Sequence, residues 1–352
     1  MVTVGIDAHK ASLAVALIDE LGRELAHEQF ANDPDGHRGL HAWVERLAPG
    51  ERRFGIEGTG WLARGIACLL LERGEQVVDV RGTLTDRQRK RMHGQGKSDP
   101  RDAVAIARVT AREEGKLAPV RIDSALRDLK LLCSYRWQLV GERNRAANRL
   151  HVDLVSLRPG YQRRIPNLDS KVRLERAQRL LAGDQSVQAA LARRRIEKLC
   201  RLDGEIKELE QEIAQSVKTL GSGLPQLVGL SYLSAARIIG EVGDIGRIQT
   251  KDRFARMNGT APVPASSGER NRHRLNKGGN RRLNHAIHMM ALTQARMDPR
   301  ARAYVERRRA EGRTQRDAVR ALKRHLSDVV YQQLRHDAAT APVGAGLNSE
   351  TK

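Results

Sequence analysis

The first 80 residues alternate between strand-like and helix-like hydrophobic patterns, and this order limits the possible folds more than any other feature. Residues 2–7, 13–19 and 23–30 are short apolar or alternating runs separated by tight turns, which is typical of three antiparallel strands. Helical and strand patterns then alternate over residues 37–47 (helix), 53–57 (strand), 61–73 (helix) and 76–80 (strand). We therefore predict an α/β domain with a mixed sheet over residues 1–120.

The middle of the chain, residues 121–222, has an almost entirely helical pattern, interrupted by Pro and Gly at 158–160 and 182–184. Seven apolar residues near its end follow one another in steps that keep them on one helix face. An ordinary buried helix face and a coiled coil that joins two chains or acts as a spacer both fit this seam, so we predict a helical or coiled-coil domain. The seam consists of Leu199, Leu202, Ile206, Leu209, Ile213, Val217 and Leu220.

The remainder predicts a third, mostly α domain over residues 223–336. Residues 227–246 place glycine-containing turns before and after a helical pattern, as a helix-hairpin-helix does, although a plain helix with glycine caps fits equally well. The small and polar residues 337–352 are typical of a disordered tail.

The charge balance predicts a polyanionic partner. The 352 residues include 63 Lys or Arg and 42 Asp or Glu, which gives a net charge of +21. A protein from an Arg-rich proteome would also be basic, but nucleic acid is the commonest intracellular polyanion. Because aromatic residues make up only 3% of the chain, we expect contacts to phosphates rather than stacking on bases.

Other classes of protein are disfavoured. The three cysteines are far apart, without the spacing of a zinc site or a disulfide framework. The chain has no basic leader followed by an apolar run, and no apolar stretch of about 18 residues that would span a membrane. We therefore expect a cytoplasmic protein without a membrane segment.

Four carboxylates form a candidate metal site. Asp7 ends the first predicted strand and Glu57 ends the fourth, so both could project from one edge of the sheet. Asp99 and Asp102 are three residues apart in a helix that Pro100 can begin, and this spacing places them on one face. Clustered carboxylates are the ligands that Mg²⁺ prefers. Taken singly, each acid could instead cap a helix or turn, or pair with a surface Arg.

Three segments that contain these acids carry a specific resemblance. VGIDAHKASLAVALID, FGIEGTG and KSDPRDA occur in this order and resemble the motifs of the one-hundred-and-ten family of insertion-sequence transposases, which includes the Piv-type invertases. The resemblance implies a RuvC-like (RNase H-like) N-terminal domain with a DEDD set of acids. Asp7, Glu57, Asp99 and Asp102 would be its catalytic and Mg²⁺-binding residues.

A second set of motifs, within residues 254–284, resembles the C-terminal serine domain of the same family. Ser267-Gly268 stands at the position of the family's serine, and the neighbouring Ser266 leaves the assignment open by one residue. Gly259-Thr260-Ala261-Pro262 replaces the usual G-L-x-P, and Lys277 to Leu283 match a K-x-G-N-x-x-L motif. From residue 251 to 282 there are nine Lys or Arg against two acids, enough to hold phosphates. The candidate nucleic-acid contacts are Arg270, Arg272, Arg274, Lys277, Asn280 and Arg281.

The resemblance implies a transposase that cuts and rejoins donor and target DNA, with Ser267 as nucleophile. It also implies a non-coding guide RNA, called a bridge RNA, and a homodimer or homotetramer in which chains share active sites. Two other hypotheses fit the residues themselves. One is a metal-dependent nuclease of the Holliday-junction type in which the serine is structural, and the other is a non-enzymatic basic nucleic-acid-binding protein.

Overall fold

The structure is a computed structural model. It describes residues 1–59, 61–82, 84–86, 99–113, 115, 117–120, 124–264, 273–274, 276 and 278–340, with only the backbone for Asp99, Ala118, Ser124, Val263, Pro264, His273 and Arg274. The chain divides into two compact units, Met1–Ile122 and Asp123–Lys352.

A six-stranded mixed sheet forms the centre of the first unit, in the order β3-β2-β1-β4-β5-β6. The first three strands are antiparallel neighbours, β4 and β5 run parallel to β1, and the short β6 is antiparallel to β5. The predicted mixed α/β organisation is confirmed, and β6 is an addition to it. The strands are β1 (Val2–Ala8), β2 (Ser12–Ile18), β3 (Glu24–Ala31), β4 (Arg52–Glu57), β5 (Gln76–Val80) and β6 (Ala118–Pro119).

Among the described residues, three helices of a full turn or more cover the two faces of this sheet. They are α1 (Pro34–Leu47), α2 (Arg64–Glu72) and α3 (Asp99–Arg112). Because side chains alternate along a strand, Leu13, Val15 and Leu17 of β2 pack with α1 and α2 in one apolar cluster. The intervening Ala14, Ala16 and Ile18 pack with Ala103, Val104 and Ala107 of α3 in another.

Two long helices, α4 (Ser124–Leu157) and α6 (Val187–Thr219), form an antiparallel hairpin in the second unit, with the shorter α5 (Lys171–Leu180) between them in sequence. Three ion pairs fix the antiparallel direction, because later residues of α4 pair with earlier residues of α6. The apolar seam of α6 is mostly buried in the clusters that α6 shares with α4, so the seam faces its own chain. The three ion pairs between α4 and α6 are Arg136–Glu210, Arg143–Asp203 and Asp153–Arg195.

The other helices of this unit surround one continuous apolar core, which includes Leu129, Ile238, Ile287 and Val330. They are α7 (Tyr232–Val242), α8 (Lys251–Met257), α9 (Arg281–Met297), α10 (Pro299–Ala310) and α11 (Gln315–Thr340). Two short antiparallel strands, β7 (Val263–Pro264) and β8 (His273–Arg274), lie between α8 and α9 in sequence. Within the described ranges, no helix is both long enough and apolar enough to cross a membrane.

The structure decides between two predictions for residues 227–246 and corrects the predicted start of the C-terminal tail. Gly229, in the first turn of the possible helix-hairpin-helix, packs against Met290 and Thr293 of α9, which favours the plain capped helix. Residues 337–340 of the expected tail belong to α11, because the Asp337 carboxylate accepts hydrogen bonds from the Ser222 hydroxyl and the Gly223 amide. Residues 341–352 lie outside the described residues.

Candidate functional site

Asp7 and Glu57 are directly opposite each other on adjacent strands. The parallel register of β1 and β4 pairs Asp7 with Glu57 at the carboxyl ends of both strands. Neighbouring strands are about 4.8 Å apart, so two acids in this register are side-chain neighbours. Asp7 is only 9% exposed. The sequence predicted that these two acids project from one edge of the sheet, and the strand register makes them direct neighbours there.

Two glycines determine how closely α3 approaches this edge. Gly5 and Gly55 are also register partners, and each precedes its acid by two residues, so glycines and acids lie on the same face of the sheet. A Cβ on Gly5 would overlap the carbonyl oxygen of Ala103, and a Cβ on Gly55 would overlap the Thr110 side chain. The backbone of α3 therefore packs directly on the two strands that carry the acids.

The first turn of α3 contains the other two predicted acids. Asp102 is 4% exposed and immediately precedes Ala103, whose carbonyl contacts Gly5. Asp99 is the first residue of the helix, one turn before Asp102, and its side chain lies outside the described part of the structure. The structure thus places Asp102 at the helix turn that adjoins β1.

This donor set has the chemistry that a hard divalent cation requires, because carboxylate oxygens are the preferred ligands of Mg²⁺. Among the side chains that the structure describes, which exclude Asp99, no group of three or more His, Cys, Asp or Glu residues is close enough to hold a metal ion. The structure therefore brings Asp7 and Glu57 together as register partners, but it does not bring Asp102 close enough to complete a three-carboxylate group with them.

Three residues around this site had no recognisable signal in the sequence. The fully buried Thr85 hydroxyl lies 2.7 Å from Glu57 Oε2. A Cβ on Gly82 would lie 2.5 Å from Glu57 Oε1, so this glycine makes room for the carboxylate. His9 Nε2 lies 3.4 Å from Asp7 Oδ2. Thr85 and Gly82 belong to the segment after β5 and contact the Glu57 carboxylate. Folding brings this segment next to β4, so the sequence alone did not show the contact.

The predicted serine segment lies between two paired strands. In the register, Val263 pairs with Arg274 and Pro264 pairs with His273. Residues 265–272 connect them in sequence and lie outside the described residues, as does Lys277. Ser266, Ser267, Arg270 and Arg272 belong to this connection.

The two motifs that flank the serine segment contact each other. A Cβ on Gly279 would overlap the backbone of Gly259, which has a φ of +72° that favours glycine. The Asn280 side-chain oxygen accepts hydrogen bonds from the amides of Arg282 and Leu283 at the start of α9, and its Nδ2 donates to Glu241 at 2.7 Å. Asn280 therefore fixes the turn, whereas the neighbouring Arg281 is exposed and forms no ion pair with a described residue.

Two family models match this chain, and a solved structure is weakly similar to part of it. A family model described as "Transposase" matches residues 4–159, and one described as "Transposase IS116/IS110/IS902 family" matches residues 222–306, so that together they span more than half of the chain. T. thermophilus RuvC in complex with a Holliday junction substrate matches with a TM-score of 0.28 and 20% identity, over 34% of this chain and 99% of that one.

Curated relatives match along almost the whole chain. An uncharacterized 42 kDa protein of insertion element IS900 from Mycobacterium paratuberculosis is 27% identical, over 97% of both chains. An uncharacterized 44.8 kDa protein of insertion element IS116 from Streptomyces clavuligerus is also 27% identical, over 96% of both. The motifs, the two family models and these relatives lead to one assignment: the chain belongs to the IS116/IS110/IS902 family of transposases, enzymes that cut and rejoin DNA.

Proposed function

We propose that this transposase excises and inserts the DNA of its own insertion element through a serine–DNA intermediate, with a carboxylate site that binds Mg²⁺. The observation that carries the proposal is the register of Asp7 with Glu57 at the strand edge on which α3 packs. Two adjacent carboxylates that share one face of a sheet suit a divalent metal ion, because carboxylate oxygens are its preferred ligands and its charge offsets their mutual repulsion.

Asp7, Glu57, Asp99 and Asp102 would hold the Mg²⁺. When bound, the metal ion would supply Lewis-acid stabilisation to the phosphoryl oxygens. The protein's own part is to fix the carboxylates. The glycine contacts seat α3 beside Asp7, and Thr85 and Gly82 limit the positions open to the Glu57 carboxylate.

Ser267 would attack the DNA phosphodiester. Its Oγ forms a bond to phosphorus and loses its proton, while the bond from phosphorus to one bridging sugar oxygen breaks and that oxygen leaves as a hydroxyl group. The contact between Gly259 and Gly279 supports this role, because it brings together the two motifs at either end of the serine segment.

The basic residues of the second unit would hold the DNA backbone. Arg270, Arg272, Arg274, Lys277 and Arg281 are the proposed phosphate contacts, and Asn280 would position the turn that presents Arg281. We further propose that a bridge RNA selects donor and target DNA. Homodimers or homotetramers would combine the serine of one chain with the carboxylates of another. The net charge of +21 supports binding of nucleic acid.

Strand cleavage by two variants tests the proposal. Purified protein, Mg²⁺, DNA with the element's ends and the flanking RNA should give cleavage that both Ser267→Ala and Asp102→Asn abolish, while Ser266→Ala retains it. Cleavage that survives Ser267→Ala but not Asp102→Asn would identify a metal-dependent nuclease with a structural serine. DNA binding without cleavage, unaffected by the acid substitutions, would identify a nucleic-acid-binding protein.

A further inference from the structure

The second unit contains an open cleft between α9 and α11, with a volume of about 890 Å³. Its lining is rich in side chains that can donate hydrogen bonds to an anion. Arg281, His285 and His288 line it from the α9 side, and Arg316, Arg320 and Lys323 line it from α11.

The positive charge of this cleft is not neutralised by its walls. No carboxylate is among the described residues that line it. Arg316, like Arg281, forms no ion pair with a described residue, whereas Arg320 is paired with Asp317 at 3.0 Å. His288 Nδ1 is buried and lacks a hydrogen-bond partner in the described part of the chain. Arg281, Arg316 and Lys323 have no carboxylate partner among the described residues, and this favours an anion from outside the chain as their complement.

Lys323 is the most deeply placed of these cations. It is 8% exposed, and its Nζ donates a hydrogen bond of 2.7 Å to Asn284 Oδ1. An ammonium group has three donors, and no second acceptor for Lys323 is found among the described residues. Burial, with a smaller effect of the Arg320 charge, lowers the pKa of Lys323 to about 8. Burial is also the main cause that lowers the pKa of His288, followed by the charge of Lys323. An anion in the cleft would oppose both shifts.

The cleft adjoins the motifs that flank the serine segment. Gly259 and Asn276 line it together with Gly279. Asn284 links it to the same motifs, because its Nδ2 donates to the carbonyl oxygen of Asn258 at 2.8 Å while its Oδ1 accepts from Lys323. A ligand seated on Lys323 would therefore lie beside the base of the β7–β8 pair.

We propose that this cleft binds a backbone phosphate of the DNA strand that the transposase cuts, with Lys323 at its floor and Arg316 at its mouth. The inference rests on the proposed function, because the identity of the anion follows from the nearby serine segment. DNA is favoured as the source of the phosphate because the cleft adjoins the motifs that flank the proposed DNA-cutting serine. The lining cations can bind phosphate, and no Phe, Tyr or Trp for base stacking is among the described lining residues.

Equilibrium binding without catalysis tests this cleft. The probe is a fluorescent DNA duplex of about 20 base pairs, long enough for the several phosphate contacts of a DNA-binding surface, measured by anisotropy over a salt series without Mg²⁺. Lys323→Met should raise the Kd about tenfold and reduce the slope of log K against log salt by about one. Arg316→Gln, at an exposed position that does not affect folding, should act in the same direction. Lys207→Met removes an equal charge from an exposed position on α6 and should change the Kd much less.

Several results would overturn the inference. Equal effects of Lys323→Met and Lys207→Met would show that only overall charge matters. A loss confined to an RNA duplex of the same sequence would contradict the assignment to DNA. If Lys323→Met fails to fold, an unchanged Kd for Arg316→Gln alone would reject the cleft.

The binding experiment can fail or succeed independently of the proposed serine mechanism. Weakened binding in Lys323→Met together with no serine–DNA product in the wild type would reject the serine mechanism and leave the cleft in place. Wild-type product with unchanged binding in both cleft variants would reject the cleft alone.

Discussion

Asp7 and Glu57 are register partners at the carboxyl ends of two parallel strands, and the glycines two residues before them, Gly5 and Gly55, are register partners as well. The glycine pair allows α3 to lie directly on the sheet, and the acid pair lies one strand repeat further along the same face. The acid site and the close helix–sheet contact therefore depend on the same two strands.

Neutralising either Asp7 or Glu57 should reduce DNA cleavage without destabilising the fold. Asp7→Asn and Glu57→Gln preserve shape and keep an oxygen that can accept a hydrogen bond, so the folded state should stay within about 1 kcal/mol of the wild type. Cleavage should fall by at least about a hundredfold if these groups hold the catalytic metal. Thermal unfolding and Mg²⁺-dependent cleavage, measured on the same samples, check both parts. A variant that retains cleavage would remove that acid from the site.

Replacing Gly5 or Gly55 with alanine should lower the stability of the folded protein. Gly5→Ala and Gly55→Ala introduce a Cβ that overlaps α3, and overpacking of this kind costs about 1–3 kcal/mol or more of the free energy of unfolding. Gly50→Ala is the matched control because a Cβ there meets nothing within 4 Å, and it should stay within about 0.5 kcal/mol of the wild type. Urea unfolding measures all three. Unchanged stability in Gly5→Ala would contradict the close packing of α3.

Thr85 should position Glu57. Thr85→Val removes the hydroxyl near Glu57 Oε2 without a change in volume, so more Mg²⁺ should be needed for half-maximal cleavage, with a shift of severalfold. Thr110→Val is the matched control, because its hydroxyl is also buried but donates to the Ile106 carbonyl within α3. A Mg²⁺ titration that shifts equally in both variants would show that the effect is structural only.

The buried Lys323 should make stability depend on pH. Its folded pKa of about 8 lies below its ordinary value of 10.5, so between these values the unfolded chain binds more protons and stability rises with pH. Below pH 8 both states are charged, and the full penalty of the buried charge is present. The free energy of unfolding of the wild type minus that of Lys323→Met should therefore become more positive between pH 7.5 and about 9.5. If the free energies of unfolding of the wild type and Lys323→Met, measured in urea, change with pH in parallel, the ammonium group of Lys323 is not buried and the prediction is wrong.

Local patterns predicted most of the first unit's elements because each is encoded within a few residues. The strand over residues 76–80 has its expected bounds. The first helix begins at Pro34 rather than 37, because Asp33 caps it through the Gly36 amide and Pro34 suits its first turn. β6 has two residues and exists only by pairing with β5, so no local pattern could predict it.

The candidate site could be predicted only as a set of residues. Spacing and the family resemblance identified Asp7 and Glu57, and the family assignment is confirmed by the comparisons. The register that pairs the two acids, the Thr85 contact and the Lys323 cleft depend on pairing and packing between segments distant in sequence. Whether Ser266 or Ser267 is the nucleophile stays a prediction.

The most direct test of catalysis by Ser267 is capture of a covalent protein–DNA adduct. Purified chain, Mg²⁺, labelled DNA with the element's ends and the flanking RNA are quenched in denaturant, separated by electrophoresis and mapped by peptide mass spectrometry. We predict an adduct on the peptide that contains Ser267, present in Ser266→Ala and absent in Ser267→Ala. Cleavage of the DNA by the wild type without any adduct, or an adduct that persists in Ser267→Ala, would contradict this prediction.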